Sequence, residues 1–131
     1  MAPITSAYAG LLGLLYVVLS INVIRRRRGA RIALGAGEDA DLQRRIRVHG
    51  NFAEYVPIAL VLILLTELGG APAWLLHGLG LALLVGRSIH AYGVGQAAEN
   101  YRFRVIGMAL TFSAIIVAAL GCLVIALARL A

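Results

Sequence analysis

Apolar residues fill four long stretches of the chain, at residues 4–24, 42–68, 72–92 and 103–130, and polar residues gather between them. Each stretch reaches or exceeds the roughly 20 residues that a helix needs to cross the hydrocarbon core of a bilayer. The pattern therefore predicts an all-α fold, an integral membrane four-helix bundle with up-down topology. We expect residues 1–131 to form this one domain, because the stretches leave no room for a separate soluble one.

The composition agrees with this class of protein. Hydrophobic residues make up 61% of the chain and charged residues 14%, and the mean hydropathy is +0.89. A soluble domain of this length does not need so much apolar surface, and a nucleic-acid-binding protein would be far more polar. The three histidines and one cysteine are too scattered to predict a metal site.

The arginines predict how the chain crosses the membrane. All 12 positive charges are arginine, and eight of them lie between residues 25 and 47. Arg87, Arg102 and Arg104 flank the third connection, whereas Arg129 alone lies at the opposite end. By the positive-inside rule, the basic connections are cytoplasmic and both termini lie outside the cell membrane. The short connection at residues 69–72 predicts that the second and third helices form an antiparallel hairpin.

The second apolar stretch carries polar side chains on one face about 100° wide, which we call the polar stripe. Its members are Arg44, Arg47, Asn51, Glu54 and Tyr55. An ionisable group such as Glu54 is costly at this depth, so it usually faces a protein interior or polar cavity and marks a functional site. The alternative is an interfacial carboxylate that pairs with Arg47 or Arg104 only to orient helices. The donors and acceptors of the stripe suit a small zwitterionic ligand with carboxylates and an amino group.

A second polar cluster is predicted at the same membrane depth. Arg87 and His90 lie one turn apart on the third helix, and Arg104 begins the fourth. Because arginine is always charged, Arg104 at the mouth of a low-dielectric cleft would stabilise an anion such as a thiolate. The alternatives are that Arg87, Arg102 and Arg104 anchor the helices at the headgroup level, and that His90 is an ordinary interfacial group.

The fourth helix has one face of small residues, which permits close approach of another helix. These residues are Gly107, Thr111, Ala114, Ala118 and Gly121. We expect this face to pack inside the bundle or at a contact between subunits.

Two regions of the chain resemble the membrane-associated proteins in eicosanoid and glutathione metabolism, the MAPEG family. The first is R-x-H-x-N-x-x-E-Y-x-P at residues 47–57, and the second is GRSIHAYGVG at residues 86–95 with RFRVIGMALTF at residues 102–112. In size, helix pattern and topology the resemblance covers nearly the whole chain, and it indicates a bacterial-type member.

The resemblance implies a homotrimer that binds glutathione, its cosubstrate, in clefts between neighbouring subunits on the cytoplasmic side. By matching positions, glutathione would contact Arg47, Asn51, Glu54 and Tyr55, with Glu54 taking the amino group of the γ-glutamyl end. Arg27 or Arg28 is similar to a family arginine that meets a peptide carboxylate. Arg87 and His90, in the second region, complete the predicted contacts. Arg104 matches the arginine proposed in the family to stabilise the thiolate, with Arg102 as the other candidate for that match.

The resemblance favours a glutathione transferase or peroxidase whose thiolate attacks an apolar electrophile or lipid hydroperoxide that arrives through the bilayer. The chain departs from family members that make eicosanoids, since His90 and Val94 lie where those carry tyrosines. Two alternatives remain: a noncatalytic lipid-binding or scaffold protein of the same fold, and a small proton-coupled exporter. The exporter ranks last, because the first helix has only Ser20 and Asn22 where such proteins use a carboxylate.

Overall fold

A computed structural model describes residues 1–98 and 100–130, and it confirms the all-α bundle. The four helices are α1 (Pro3–Ala30), α2 (Ala40–Leu68), α3 (Ala73–Gly95) and α4 (Tyr101–Leu130). Helix α1 packs against α2 and α3, and α4 packs against α2 and α3 from another side. Helices α1 and α3 finish, and α2 and α4 begin, at the same end of the bundle. We call this the basic end.

Three of the helices, α1, α2 and α4, are long and apolar enough to cross a membrane. Helix α3 is not among them, although its 23 residues extend about 35 Å, enough to span hydrocarbon. It carries Arg87 and His90, which are only 1% and 4% exposed. These polar groups lower the hydropathy of α3, and the neighbouring helices cover both of them.

Charged side chains join α1 to the start of α2 at the basic end. Asp39 caps α2, because its carboxylate accepts a hydrogen bond from the Leu42 N–H at 2.9 Å. Arg26 pairs with that carboxylate at 2.9 Å and with Asp41 at 3.3 Å. The Leu42 hydrogen bond and the Arg26 guanidinium hold the pKa of Asp39 below its usual range. Asp39, just before α2, and Asp41, in its first turn, thus mark the helix start.

The opposite end is fixed by Glu67 near the end of α2. Its carboxylate accepts hydrogen bonds from the Ile4 N–H at 3.0 Å and the Thr5 N–H at 2.7 Å. These two donors belong to the first turn of α1, which has no side-chain cap of its own. A tight turn with Gly70 at φ 92° joins α2 to α3 and confirms the antiparallel hairpin.

Helices α3 and α4 make the closest approach in the bundle. A Cβ atom on Gly107 would lie 2.6 Å from the Gly86 carbonyl oxygen and 2.8 Å from the His90 backbone nitrogen. Four of the five predicted small residues of α4 are buried: Gly107, Thr111, Ala114 and Ala118. The prediction that this face packs inside the bundle is therefore confirmed.

We expect Gly107→Ala to destabilise the protein by roughly 1–3 kcal/mol, because the added methyl group meets backbone atoms that cannot rotate away. Thermal unfolding of the detergent-purified protein measures this as a midpoint lowered by several degrees. Gly78→Ala is the matched control, since a Cβ atom there has no neighbour within 4 Å and alanine favours the helix. Equal midpoints for the two variants would contradict the close packing of α3 on α4.

Candidate functional site

A cavity of about 460 Å³ opens at the basic end between α2, α3 and α4. Helix α2 lines it with Ala40, Gln43, Arg44, Arg47, Asn51 and Tyr55, helix α3 with His90 and Val94, and helix α4 with Arg104 and Met108. This cavity, which we call the arginine cavity, brings together five of the predicted site residues: Arg47, Asn51, Tyr55, His90 and Arg104. Its volume lies within the roughly 300–1,000 Å³ of small-molecule sites.

The contribution of α2 follows from helix geometry. Its lining residues recur every three or four positions, so they share one face, and four of the five members of the polar stripe point into the cavity. Arg45 and His49 lie on the opposite face of α2 and do not line the cavity. Arg45 pairs with Asp41 at 3.0 Å. His49 lies 3.1 Å from the Ser20 hydroxyl on α1.

Two polar or polarisable lining residues, Gln43 and Met108, were not predicted from the sequence. Gln43 lies one turn before Arg47 on the same face, so extending the polar stripe toward the start of α2 would have included it. Met108 lies one turn after Arg104 on α4, where an apolar side chain gives no signal that separates a cavity wall from ordinary core.

The wall of the arginine cavity is positively charged. Arg44, Arg47 and Arg104 contribute to it, and no carboxylate is among its described lining residues. The Nε atom of Arg44 is buried and has no hydrogen-bond partner within the described part of the chain. A buried donor without a partner costs about 1–3 kcal/mol. The arrangement suits a small molecule with carboxylate groups.

Arg87 lies behind the cavity wall. Its guanidinium donates to the Asn51 Oδ1 atom at 2.6 Å and to the Met108 sulfur at 3.2 Å. Its Cζ atom also lies 5.8 Å from the centre of the Tyr55 ring. Arg87 therefore holds three residues that line the cavity, although it does not line the cavity itself. Because Asn51 accepts through its oxygen, its amide N–H groups are available to a ligand.

Glu54 and Arg27 lie outside the arginine cavity. The Glu54 side chain is 52% exposed, and its carboxylate is 3.9 Å from the Arg47 guanidinium. Arg27 is at the end of α1, where it donates to the Gly35 carbonyl oxygen at 2.7 Å. Within one copy of the chain, Glu54 meets the cavity only through this contact with Arg47, and Arg27 is not joined to the other predicted residues.

The two candidate arginines of α4 differ in position. Arg104 lines the cavity. Arg102 does not line it, and its backbone N–H bonds to the Asn100 side chain at 3.1 Å. Of the two, only Arg104 is positioned to act on a ligand in this cavity. No cluster of histidine, cysteine, aspartate or glutamate suited to a metal ion occurs within residues 1–98 and 100–130.

The chain is similar in sequence to known membrane proteins. Residues 5–124 match the MAPEG family. The chain is 41% identical over 118 residues to "Inner membrane protein YecN" of Escherichia coli K12, an alignment that covers 90% of this chain and 88% of that protein. The same figures hold for the protein of that name from Escherichia coli O6:H1.

We expect the contact between Arg87 and Asn51 to stabilise the bundle. Asn51→Leu leaves a buried guanidinium short of an acceptor and should lower the free energy of unfolding by about 1.5–3 kcal/mol. In the Arg87→Met background the same substitution should cost much less, because no charge is left without its partner. Chemical or thermal unfolding of the four proteins measures this coupling.

Gln43→Leu is the matched control, because Gln43 lines the same cavity and none of its described contacts is with a buried charge. We expect it to change stability by less than about 0.5 kcal/mol. If the costs of Asn51→Leu and Arg87→Met simply add, the two side chains are not coupled and this interpretation of the site is wrong.

Proposed function

The chain belongs to the MAPEG family of membrane proteins, and on that basis we propose that it is a membrane-bound glutathione-dependent transferase or peroxidase. The observation that carries the proposal is the arginine cavity. It combines three guanidinium groups, an oriented amide and a phenol at one end of a membrane bundle. These groups match the two carboxylates, the two peptide units and the thiol of glutathione, and its ammonium group would need a carboxylate from outside the cavity.

Binding would rest on the polar stripe of α2. Arg44 and Arg47 donate to glutathione carboxylates, since a guanidinium binds a carboxylate through two parallel hydrogen bonds. The Asn51 side-chain N–H donates to a peptide carbonyl oxygen of glutathione, because the Asn51 side-chain oxygen already accepts from Arg87. Tyr55 adds a hydroxyl group, and its ring is held edge-on against Phe112 with 5.4 Å between ring centres.

Arg104 is the proposed catalytic residue. A thiol is mostly protonated at neutral pH, and a guanidinium aimed at the sulfur lowers its pKa and so raises the fraction of thiolate. The proton leaves to water, and the sulfur forms a bond to an electrophilic carbon of the substrate. The bond from that carbon to its leaving group breaks, and the leaving group departs with the electron pair. With a hydroperoxide, the sulfur attacks the outer oxygen, the O–O bond breaks, and the substrate leaves as an alcohol after taking a proton from water. The thiol of a second glutathione then attacks the resulting sulfenic acid, which releases water and forms the disulfide. An apolar substrate is concentrated by the bilayer and held beside the thiolate.

We further propose that the protein acts as a homotrimer whose glutathione sites lie at subunit boundaries. Glu54 and Arg27 support this, because neither lines the cavity of its own chain. At a boundary, Glu54 would take the γ-glutamyl ammonium group, and Arg27 would come from a neighbouring copy to meet a carboxylate. The basic ends are cytoplasmic in this proposal, and both termini lie outside.

A noncatalytic lipid-binding role is the second candidate, and one observation favours it. An apolar groove of about 430 Å³ lies between α1 and α2, with Leu12, Phe52, Val56 and Leu60 in its wall. A protein that only presents a lipid would use such a groove and would not need Arg104. This role and the enzymatic one therefore differ in whether glutathione is activated.

We expect glutathione, titrated into the detergent-purified protein, to give a saturable ultraviolet absorbance of bound thiolate. Arg104→Ala should abolish this signal at neutral pH, because the thiol of bound glutathione then keeps its ordinary pKa. Arg102→Ala is the matched control, since it removes an arginine two residues away that does not line the cavity. It should leave the signal nearly unchanged.

Calorimetry on the same samples separates binding from activation. Glutathione that binds wild type and Arg104→Ala alike without forming thiolate in either would contradict the role of Arg104. The absence of binding to the wild type would reject the enzymatic proposal and favour the lipid-binding role.

A further inference from the structure

Met108 places one sulfur atom in the wall of the arginine cavity. It is half-buried and lies one turn after Arg104 on α4, so the two side chains face the same part of the cavity. The sulfur of methionine is polarisable and is readily oxidised to a sulfoxide. No cysteine lines this cavity among the described residues, so Met108 carries the sulfur that a peroxide entering the cavity would meet.

The Met108 sulfur contacts a buried guanidinium that has donors to spare. Arg87 is 1% exposed, and its Nη2 atom donates to this sulfur at 3.2 Å. The only other described acceptor of that atom, the Gly107 carbonyl oxygen, is 3.5 Å away. The Arg87 Nε atom is buried and has no hydrogen-bond partner among the described residues. A thioether is a weak acceptor, so the side of Arg87 that faces α4 lacks a strong one.

A sulfoxide oxygen on Met108 would supply this acceptor. Oxidation of methionine adds a polar S–O group, which disrupts an ordinary apolar core because the new oxygen finds no donor there. Here the sulfur is already in contact with Arg87, so a rotation of the flexible methionine side chain lets the oxygen accept from the guanidinium. The surroundings of Met108 thus suit its oxidised form.

We propose that Met108 is a modification site, which a hydroperoxide that enters the arginine cavity oxidises to the sulfoxide. Arg87 uses one lone pair of the sulfur, and the other attacks the outer oxygen of the hydroperoxide. The S–O bond forms as the O–O bond breaks, the proton of the outer oxygen passes to the alkoxide, and the alcohol leaves. The sulfur gives up an electron pair, which the hydroperoxide takes. Arg104 lines the same cavity, and its charge stabilises the alkoxide as it forms.

The modification also regulates the proposed glutathione activity, and this consequence alone rests on the proposed function. The sulfoxide adds an electron-rich oxygen to the wall one turn from Arg104, where the glutathione sulfur is expected, and that oxygen repels a thiolate. Calorimetry should show that glutathione binds the oxidised protein at least about threefold more weakly than the untreated protein. Treatment of Met108→Leu with hydroperoxide should leave the affinity of that variant unchanged. Equal affinities of the oxidised and untreated wild type would contradict this consequence.

The test treats the detergent-purified full chain, without glutathione, with cumene hydroperoxide and follows by mass spectrometry the oxidation of the peptide that contains Met108. We expect Arg104→Gln to slow this oxidation by about threefold or more, because the alkoxide loses its stabilising charge. Arg102→Gln is the matched control, since Arg102 does not line the cavity, and it should leave the rate nearly unchanged. The chain denatured in sodium dodecyl sulfate gives the reference rate of Met108 outside the cavity.

The stability of the oxidised protein tests the contact with Arg87. Its thermal midpoint should equal or exceed that of the untreated protein, because the sulfoxide gives the buried guanidinium a stronger acceptor. In the Arg87→Leu background the same oxidation should lower the midpoint by several degrees, since the new oxygen then lacks this donor. Met108→Leu treated with hydroperoxide is the control for oxidation at other residues. If Arg87→Leu does not fold, the wild type and Met108→Leu still decide this point.

Three results would overturn the proposal. The first is that Met108 stays unoxidised in the folded protein under conditions that oxidise the denatured chain. The second is an equal rate of oxidation in Arg104→Gln and Arg102→Gln. The third is a thermal midpoint that falls when the wild type is treated but not when Met108→Leu is treated. Because these measurements contain no glutathione, a failure of glutathione to bind would reject the proposed function and leave the modification site supported by them.

Discussion

The enclosed charge of Arg87 is the interaction on which the arrangement of α2, α3 and α4 depends. A guanidinium removed from water costs several kcal/mol unless other groups satisfy it. Its partners come from both neighbouring helices, Asn51 and Tyr55 on α2 and Met108 on α4. Helix α4 reaches Arg87 only because Gly86 and Gly107 allow the two backbones to approach. One buried charge therefore fixes both the packing of three helices and the inner wall of the cavity.

The two ends of the bundle are held by different chemistry. At the end away from the cavity, the Glu67 carboxylate joins α2 to the first turn of α1. At the basic end, Asp39 and Asp41 at the start of α2 pair with Arg26, and Asp41 also pairs with arginines of α2 itself. These pairs leave two groups of arginines facing outward, one around the cavity and one at the end of α1. In the proposed account, the arginines around the cavity bind a soluble peptide anion.

The sequence predicts the helices and one wall of the site well, because both depend on periodicity. Arg47, Asn51 and Tyr55 share a face at helical spacing, and they share the cavity for the same reason. Helical periodicity tells on which face of a helix a side chain lies, but not how deeply that side chain is buried in the bundle. Arg87 and His90 are one turn apart and look equivalent in sequence, yet Arg87 is behind the wall and His90 is in it. The outward position of Glu54 and the capping of α1 by Glu67 depend on how helices pack, which local spacing does not encode.

The central claim is that glutathione occupies the arginine cavity, and a structure of the purified protein with glutathione, determined by electron cryomicroscopy, tests it most directly. The account predicts density for the tripeptide along Arg47 and Asn51, with the sulfur nearest Arg104 and a neighbouring copy closing the cleft. Density for glutathione elsewhere, or a lipid headgroup in the cavity at saturating glutathione, would contradict it.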